Sequence, residues 1–280
     1  MSDSQPLKID AEALIRSKNP ALARWLPGFV LRYIKRILHQ EYINDFLVRH
    51  GDKRSFAFVA EVIHAFGINV SHEGLENLPS EGGCIVVSNH PIGGLDGMAL
   101  LQVIGEKRRD VRFMVNDLLL NIRNLEDLFI GVNKHGKNQG RTLAEIDSVF
   151  AGTGVMAIFP AGLVSRKNHG VIRDLPWKKT FVTKAKQYDR PVVPVHISGR
   201  NSDFFYNLAR LRSRLGIRAN IEMFFLMDEM YHQLGKNIHL KFGRPISPGQ
   251  LSPGLPDYVW AQKIKDHIYN LADGKDEFPT

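Results

Sequence analysis

The feature that most constrains the fold of this chain is an alternation of short apolar runs with helical stretches, from about residue 83 onward. Runs rich in β-branched residues predict strands over Gly83–Ser88, Val111–Val115, Val155–Phe159, Pro191–Ile197 and Asn237–Phe242. Segments with apolar residues at helical spacing predict helices over Gly97–Gly105, Arg141–Phe150, Trp177–Tyr188 and Tyr258–Ala272. Because alternating strands and helices are typical of α/β proteins, we expect one layered α/β domain, with a mostly parallel central sheet flanked by helices.

An N-terminal helical region precedes this alternation. Its first strong pattern begins at Pro27, a residue suited to a first helical turn, and a second pattern covers Ser55–Phe66. Residues at three- and four-residue steps form the apolar face of the first helix: Leu22, Leu26, Phe29, Val30, Tyr33, Ile34, Ile37 and Leu38. The basic residues of the opposite face are Arg32, Lys35, Arg36 and His39. We therefore divide the chain into a helical region at 1–66 and an α/β domain at 67–280.

The charge of the chain suits a polyanionic partner. Lys and Arg number 37 against 29 Asp and Glu, a net charge of +8, which fits a nucleic acid, an anionic membrane or a phosphorylated substrate. A basic amphipathic helix can lie in the membrane interface, with its basic face toward lipid phosphates. The residues expected to contact the membrane are Trp25, Phe29, Arg32, Tyr33, Lys35, Arg36 and Ile37. The alternative is a helix that packs on the protein's own core.

Three further observations bear on location. No stretch approaches the roughly 18 apolar residues of a spanning helix. The first 20 residues lack the basic-then-apolar order of a signal peptide. The single cysteine, Cys84, excludes a disulfide within the chain. We expect a cytoplasmic protein, peripheral on the inner face of the cell membrane.

The densest chemical signal follows the strand predicted at Gly83–Ser88. That strand leads directly into Asn89 and His90, then a glycine-rich turn, then Asp96 before a helix. Active sites of open α/β sheets lie just beyond the carboxyl ends of strands. A histidine there can act as a general base, and a nearby carboxylate can bind its other ring nitrogen. The alternative is an ordinary loop histidine followed by a helix-capping aspartate.

These residues resemble the signature of a known family. Asn89 and His90 followed by Asp96, downstream of Gly74–Pro79, resemble the glycerolipid acyltransferases, which include 1-acylglycerol-3-phosphate and other lysophospholipid acyltransferases. In that family the His–Asp pair deprotonates an acceptor hydroxyl for attack on acyl-CoA or acyl-carrier protein. The family's usual spacing is His-x4-Asp, whereas this chain has His-x5-Asp, and its glycines can absorb the extra residue as a bulge.

Two later blocks extend the resemblance, which covers residues 68–245. Phe159–Arg166 resembles the family's Phe-Pro-Glu-Gly-Thr-Arg-Ser block, but Ala161 replaces the glutamate. Pro191–Val195 resembles the last block, a strand that helps to form the acyl site in the family.

A third segment, residues 131–141, stands where the family carries an arginine that grips the acceptor phosphate. That arginine has no direct counterpart in this chain, and Lys134, Lys137 and Arg141 are the candidates to replace it. Loss of the usual Arg and Glu weakens the case for a glycerol-phosphate acceptor. The chain resembles more closely a bacterial branch that acylates other lyso-lipids, including lyso-aminolipids.

The expected function is acyl transfer from acyl-CoA or acyl-carrier protein to the hydroxyl of a lysolipid, without a cofactor or metal. His90 is the expected base and Asp96 its orienting partner, and the expected oxyanion donors are backbone N–H groups around Gly162 or side chains near it. The expected substrate-binding residues are Asn89, Lys134, Gly162, Ser165 and Arg166. The alternative is a non-catalytic basic membrane-binding module. No nucleic-acid partner is expected, because no recognition module surrounds the arginines at 210–218.

Overall fold

The computed structural model describes residues 10–18, 20–116, 119–132, 139–251 and 254–278. The α-helices are α1 (Ala11–Lys18), α2 (Pro20–Trp25), α3 (Gly28–Ile37), α4 (Gln40–His50), α5 (Ser55–Ala65), α6 (Gly94–Lys107), α7 (Gln139–Ala151), α8 (Thr180–Gln187), α9 (Asp203–Arg214), α10 (Leu226–Tyr231) and α11 (Asp257–Ala272). The strands are β1 (Asn69–Glu73), β2 (Cys84–Ser88), β3 (Val111–Val115), β4 (Phe129–Gly131), β5 (Val155–Ile158), β6 (Arg166–Asn168), β7 (Val171–Arg173), β8 (Val192–Ile197) and β9 (Asn237–Phe242).

Seven strands form the central sheet, in the order β1-β9-β8-β2-β5-β3-β4. Neighbouring strands are parallel except β8 and β9, which are antiparallel. All five residues of β2 are buried, as expected of a central parallel strand covered on both faces. The prediction of a mostly parallel sheet flanked by helices is therefore confirmed.

Successive side chains of β2 enter two separate cores. Cys84 and Val86 pack in a core to which α5 and α6 contribute, whereas Ile85 and Val87 pack with residues of α8 and α11. This alternation follows from the two-residue period of a strand and places helices on both faces of the sheet. His90 lies just beyond the carboxyl end of this central strand.

The five predicted strands are all present, with ends that differ from the prediction by one residue at most. Two strands of the sheet, β1 and β4, were not predicted. β1 has mostly exposed residues, Asn-Val-Ser-His-Glu, and β4 is only three residues long. Both are edge strands, where the sequence need not show a continuous apolar run.

The first amphipathic pattern is divided between two helices, which corrects the prediction of one face from Leu22 to Leu38. α2 ends at Trp25 and α3 begins at Gly28, with Pro27 in an extended conformation as the residue that caps α3. Proline lacks an N–H and restricts the residue before it, so a helix cannot easily continue through Leu26 and Pro27.

Helices α4 and α5 share a core with the sheet. Phe46 and Leu47 of α4 and Phe58 and Val59 of α5 belong to the same buried cluster as Val86 of β2. The boundary drawn at residue 66 stays a prediction, but these contacts place part of the N-terminal region in the main core. Within the described part of the chain, no helix combines the length and apolar character needed to cross a membrane.

Candidate active site

The Asn89 side chain links the end of β2 to its neighbour β8 through two hydrogen bonds. Its Nδ2 donates to the Ile197 carbonyl at 2.8 Å, and its Oδ1 accepts from the Ile197 N–H at 2.7 Å. The side chain is buried, and both ends of its amide are occupied by backbone. Asn89 therefore shapes the turn as expected, but its amide is not available to a substrate, which corrects its place among the substrate-binding residues.

Asp96 contacts His90 directly. Its Oδ2 lies 2.9 Å from His90 Nδ1 and also accepts from the Ile92 N–H at 2.9 Å and the Gly93 N–H at 3.0 Å. Asp96 is fully buried, and these donors replace water at Oδ2, whereas Oδ1 is buried without a hydrogen-bond partner among the described residues. The predicted His–Asp contact forms in spite of the extra residue between them.

Gly93 is the residue that allows this return of the chain. Its φ of +123° lies in a region that favours glycine, and it directly precedes α6. Asp96 sits in the first turn of α6 and satisfies the Gly93 N–H, one of the donors left free at a helix start. Asp96 therefore has both roles: it caps the start of α6, as in the alternative interpretation, and it orients His90.

The His90 ring is held between a carboxylate and an aromatic face. It stacks on Phe159, with ring centroids 4.1 Å apart and planes 17° apart, and Phe159 meets the Phe113 ring edge-on at 5.0 Å. No residue in the described parts of the chain bonds His90 Nε2, and the side chain is 18% exposed. With Nδ1 facing Asp96, Nε2 is the ring atom that can accept a proton from a substrate.

A second buried carboxylate, Asp174, holds the backbone of His90. Its Oδ1 accepts from the His90 N–H at 3.2 Å and from Ser165 Oγ at 2.6 Å, while Oδ2 accepts from Trp177 Nε1 at 2.9 Å. Burial raises the pKa of this carboxyl group, although the hydrogen bonds act in the opposite direction. No local sequence pattern marks Asp174, which directly follows β7 and lies far along the chain from His90.

Ser165 lies behind His90 rather than beside a substrate. Its N–H donates to the His90 carbonyl at 2.8 Å, and its hydroxyl donates to Asp174. The residue is almost fully buried. Its prediction as a headgroup contact is therefore corrected: Ser165 joins the two loops that support the histidine.

Arg166 is likewise engaged within the protein. Its guanidinium donates to Glu222 Oε1 at 2.7 Å and to the Val164 carbonyl at 2.7 Å. Glu222 is fully buried and also forms an ion pair with Arg212 Nε at 2.8 Å, although that N–H does not point at the carboxylate. Burial lowers the pKa of Arg166. Because this arginine completes an internal Arg–Glu–Arg cluster, it is not free to bind a headgroup, contrary to its prediction.

The segment around Gly162 forms a tight turn. Gly162 has a left-handed φ of +69°, and its N–H donates to the Phe159 carbonyl at 3.0 Å. That N–H is therefore occupied and is not a free oxyanion donor, which corrects the expectation for this atom. Lys134 lies outside the described residues.

The residues expected to contact a membrane have different exposures. Trp25 is 85% exposed, Phe29 and Tyr33 are more than half exposed, and Arg32 and Arg36 are also exposed. Lys35 is half-buried and forms an ion pair with Glu12 at 3.3 Å. Ile37, in contrast, is buried and packs inward, so its prediction as a membrane contact is corrected.

Comparison with known proteins gives concordant matches. Residues 13–266 match the profile of a protein family described as acyltransferase. A lyso-glycine lipid O-acyltransferase of Bacteroides thetaiotaomicron is 43% identical over 272 residues, which cover 97% of this chain and 100% of the relative. A protein of the same name from Phocaeicola vulgatus is 42% identical, with 97% and 98% covered.

Among solved structures, the 1-acyl-sn-glycerophosphate (LPA) acyltransferase PlsC from Thermotoga maritima is 17% identical, with a TM-score of 0.46. The match covers 86% of this chain and 95% of that chain.

Proposed function

This chain belongs to the acyltransferase family, and from that membership we propose that it transfers a fatty acyl group from a thioester to the hydroxyl of a lysolipid. It is an acyltransferase by family. The observation that carries the proposed chemistry is the contact of 2.9 Å between His90 Nδ1 and the buried Asp96 carboxylate, because it leaves Nε2 as the base.

The proposed reaction begins with the acceptor hydroxyl at His90 Nε2. As the hydroxyl oxygen attacks the thioester carbonyl carbon, Nε2 takes its proton, and Asp96 stabilises the imidazolium that forms. The carbonyl then re-forms as the carbon–sulfur bond breaks, and the imidazolium returns the proton to the leaving thiolate. The products are an oxygen ester and a free thiol, and His90 returns to its neutral state.

The names of the relatives support the proposed acceptor class. Both curated relatives bear the name lyso-glycine lipid O-acyltransferase, and both match almost the whole chain. We place this chain with a lyso-glycine lipid or a closely similar lyso-aminolipid as acceptor. Arg166, which stands at the end of the segment that resembles the family's Phe-Pro block, binds Glu222 instead of a headgroup, and this supports an acceptor other than a glycerol phosphate.

The proposed donor is acyl-CoA or acyl-carrier protein, since both present the same acyl thioester to the acceptor hydroxyl. We further propose that the enzyme works on the inner face of the cell membrane, held there by α3. The exposed Trp25, Phe29 and Tyr33, flanked by Arg32 and Arg36, support this location, because such a surface suits an anionic bilayer.

A substrate panel tests the proposed function. The purified full chain would be incubated with labelled palmitoyl-CoA or palmitoyl-carrier protein and with lyso-glycine lipid, other hydroxyacyl amino acids, glycerol 3-phosphate, lysophosphatidic acid or other lysophospholipids. We expect a diacyl product, identified by mass spectrometry, with the lyso-glycine lipid. Folded protein that yields no product from any pair would contradict the proposal, whereas product from lysophosphatidic acid alone would contradict the assigned acceptor.

A further inference from the structure

A second exposed apolar surface lies on α9 and the 3-10 helix Ile221–Phe225 that follows it. Phe204, Leu211, Leu215 and Phe224 are each more than half exposed, and we call these four residues with Arg210, Arg214 and Arg218 the α9 surface. Phe204, Leu211 and Leu215 lie at helical positions i, i+7 and i+11, so they share one side of the helix. Exposed apolar side chains that share one side of a helix are typical of an interaction site, and we call this row of residues the apolar strip.

The strip is separate from the side of α9 that packs on the protein. Phe205, Tyr206 and Ala209 are buried and face the interior, together with Val164 of the loop next to His90. The apolar residues of the α9 surface are therefore additional to those that the fold itself buries.

Three arginines accompany the strip. Arg210, Arg214 and Arg218 are exposed, and within the described ranges none of them has an ion pair or hydrogen-bond partner. Arg212, in contrast, turns inward to Glu222. The unpaired guanidinium groups beside apolar side chains are complementary to anionic lipid headgroups above acyl chains.

The internal Arg–Glu–Arg cluster fixes the shape of this surface. Glu222, buried beneath it, binds Arg166 at 2.7 Å and Arg212 at 2.8 Å, and so connects the 3-10 helix to β6 and α9. Phe225 also meets Phe204 edge-on, with ring centroids 5.1 Å apart. The α9 surface is thus held by buried contacts rather than by a loose loop.

The α9 surface is connected to both α3 and the catalytic turn through α10. His39, just after α3, contacts Asp228 at 2.9 Å and stacks on Tyr231 at 3.6 Å, and both partners belong to α10. Leu226, at the start of α10, lies against Gly93: its Cδ2 would be only 3.4 Å from a Cβ added to that glycine. One short helix therefore joins the α9 surface, the end of α3 and the turn that holds His90.

We propose that the α9 surface is a second docking site for an anionic lipid bilayer, which acts with α3 to hold the entrance to His90 against the membrane. The inference rests on the proposed function, since His90 has to lie close to the bilayer only if the acceptor is a lipid. Two contact surfaces joined through α10 fix the orientation of the active site, which one helix alone would leave free to rotate.

A triple charge-reversal variant and a matched triple control test the role of the arginines. Arg210→Glu, Arg214→Glu and Arg218→Glu would be combined in the full chain, beside a control with Lys236→Glu, Arg244→Glu and Lys275→Glu at exposed positions elsewhere. Both variants change the net charge equally. Binding to phosphatidylcholine vesicles with and without phosphatidylglycerol would be measured by cosedimentation. We expect the first variant to bind the anionic vesicles about tenfold more weakly, or worse, than the control.

An apolar variant tests the strip itself. Leu211→Ser, Leu215→Ser and Phe224→Ser would be compared with Leu234→Ser, Tyr258→Ser and Val48→Ser, three exposed apolar residues outside the α9 surface. We expect only the first set to lose vesicle binding. Turnover of a short-chain acceptor dissolved below its micelle concentration is expected to persist in both sets, and circular dichroism would verify the fold.

Vesicle binding that is equal in each variant and its control would overturn the proposal. It would also be overturned if vesicle binding stayed unchanged while the KM for an acidic acyl-carrier protein rose, because the α9 surface would then bind the donor protein. Binding of labelled RNA that depends on the three arginines, with vesicle binding unchanged, would overturn it as well. Because vesicle binding requires no turnover, this result is independent of whether the proposed acyl transfer is found.

Discussion

His90 is oriented by four residues from three separate segments of the chain. Asp96 binds Nδ1, Phe159 stacks on the ring, Asp174 accepts from the backbone N–H, and Ser165 donates to the carbonyl. These contacts restrain both the ring and its main chain before a substrate arrives. Such preorganisation lets a general base act without a reorganisation cost in the transition state.

Replacement of Asp96 by Asn tests the carboxylate. The amide cannot stabilise the imidazolium, and it favours the wrong histidine tautomer, so we expect kcat to fall by roughly 10³–10⁴-fold. KM for the acceptor is expected to change little. Steady-state kinetics would measure both, with Asp45→Asn, at an exposed position, as the control. A loss of less than about tenfold would show that Asp96 serves only the helix start.

Replacement of Asn89 by Ala tests the link between β2 and β8. The substitution leaves the buried N–H and carbonyl of Ile197 without their partners, and each orphaned group costs about 1–3 kcal/mol. We expect the free energy of unfolding to fall by about 2–4 kcal/mol. Urea unfolding would measure this, with the exposed Asn168→Ala as the control. Equal stability of the two variants would contradict the account of Asn89.

The sequence could predict only those site residues whose role depends on local order. His90 and Asp96 stand together after an apolar strand, so their contact follows from one turn. Asp174 and Glu222 are brought in by tertiary packing, and nothing near them in the chain marks their partners. Ser165 and Arg166 were assigned from a sequence block whose order is retained, but burial turned their side chains toward Asp174 and Glu222.

At the scale of elements, α3 presents aromatic side chains that the fold leaves uncovered. Phe29 and Tyr33 lie one turn apart and are exposed, whereas Ile37, one turn further, is buried. The three residues were expected to share one function because they share one helical face. Helix periodicity predicts the apolar face but not the position along it at which the protein core begins to cover the side chains.

Replacement of Phe29 and Tyr33 by Ser tests α3 as a membrane contact. Loss of two inserted aromatic side chains is expected to weaken binding to anionic vesicles by about tenfold or more, since each tenfold step corresponds to about 1.4 kcal/mol. Cosedimentation would measure binding, with Leu143→Ser and Val48→Ser, also exposed, as the control. If the control weakened binding as much, α3 would have no special role.

The central strands could be predicted because they are buried on both faces, which is not true of the edge strands of the sheet. β2 and β5 are buried along their whole length and read as continuous apolar runs. Among the described strands, β1 pairs with β9 alone and keeps most of its residues exposed, so its polar sequence resembles a loop. The order of the strands in the sheet depends on packing between distant segments and was not predicted.

At the scale of the whole molecule, the stability of the sheet should depend on His196. Burial lowers the pKa of His196 from its ordinary 6.5 to about 4, and electrostatic interactions with His239 and Lys241 act in the same direction. Between these values the unfolded chain binds a proton that the folded protein does not bind. The free energy of unfolding therefore decreases as the pH falls from 6.5 toward 4.

Replacement of His196 by Gln should remove this dependence. Wild type is expected to lose up to about 3 kcal/mol more than the variant between pH 7 and pH 4. Urea unfolding at several pH values would measure the difference, with His232→Gln, at an exposed position, as the control. Parallel stability curves for the wild type and the His196 variant would show that His196 is not held neutral in the folded state.

The most direct test of the account is the rate of acyl transfer to lyso-glycine lipid by wild type, His90→Ala and the matched control His232→Ala. Thermal unfolding would verify that all three are folded. We predict that His90→Ala loses about 10²–10⁴-fold in rate, because no other group replaces the base, while His232→Ala keeps the wild-type rate. A His90→Ala protein that turns over within a few-fold of wild type would contradict the assignment of His90 as the catalytic base.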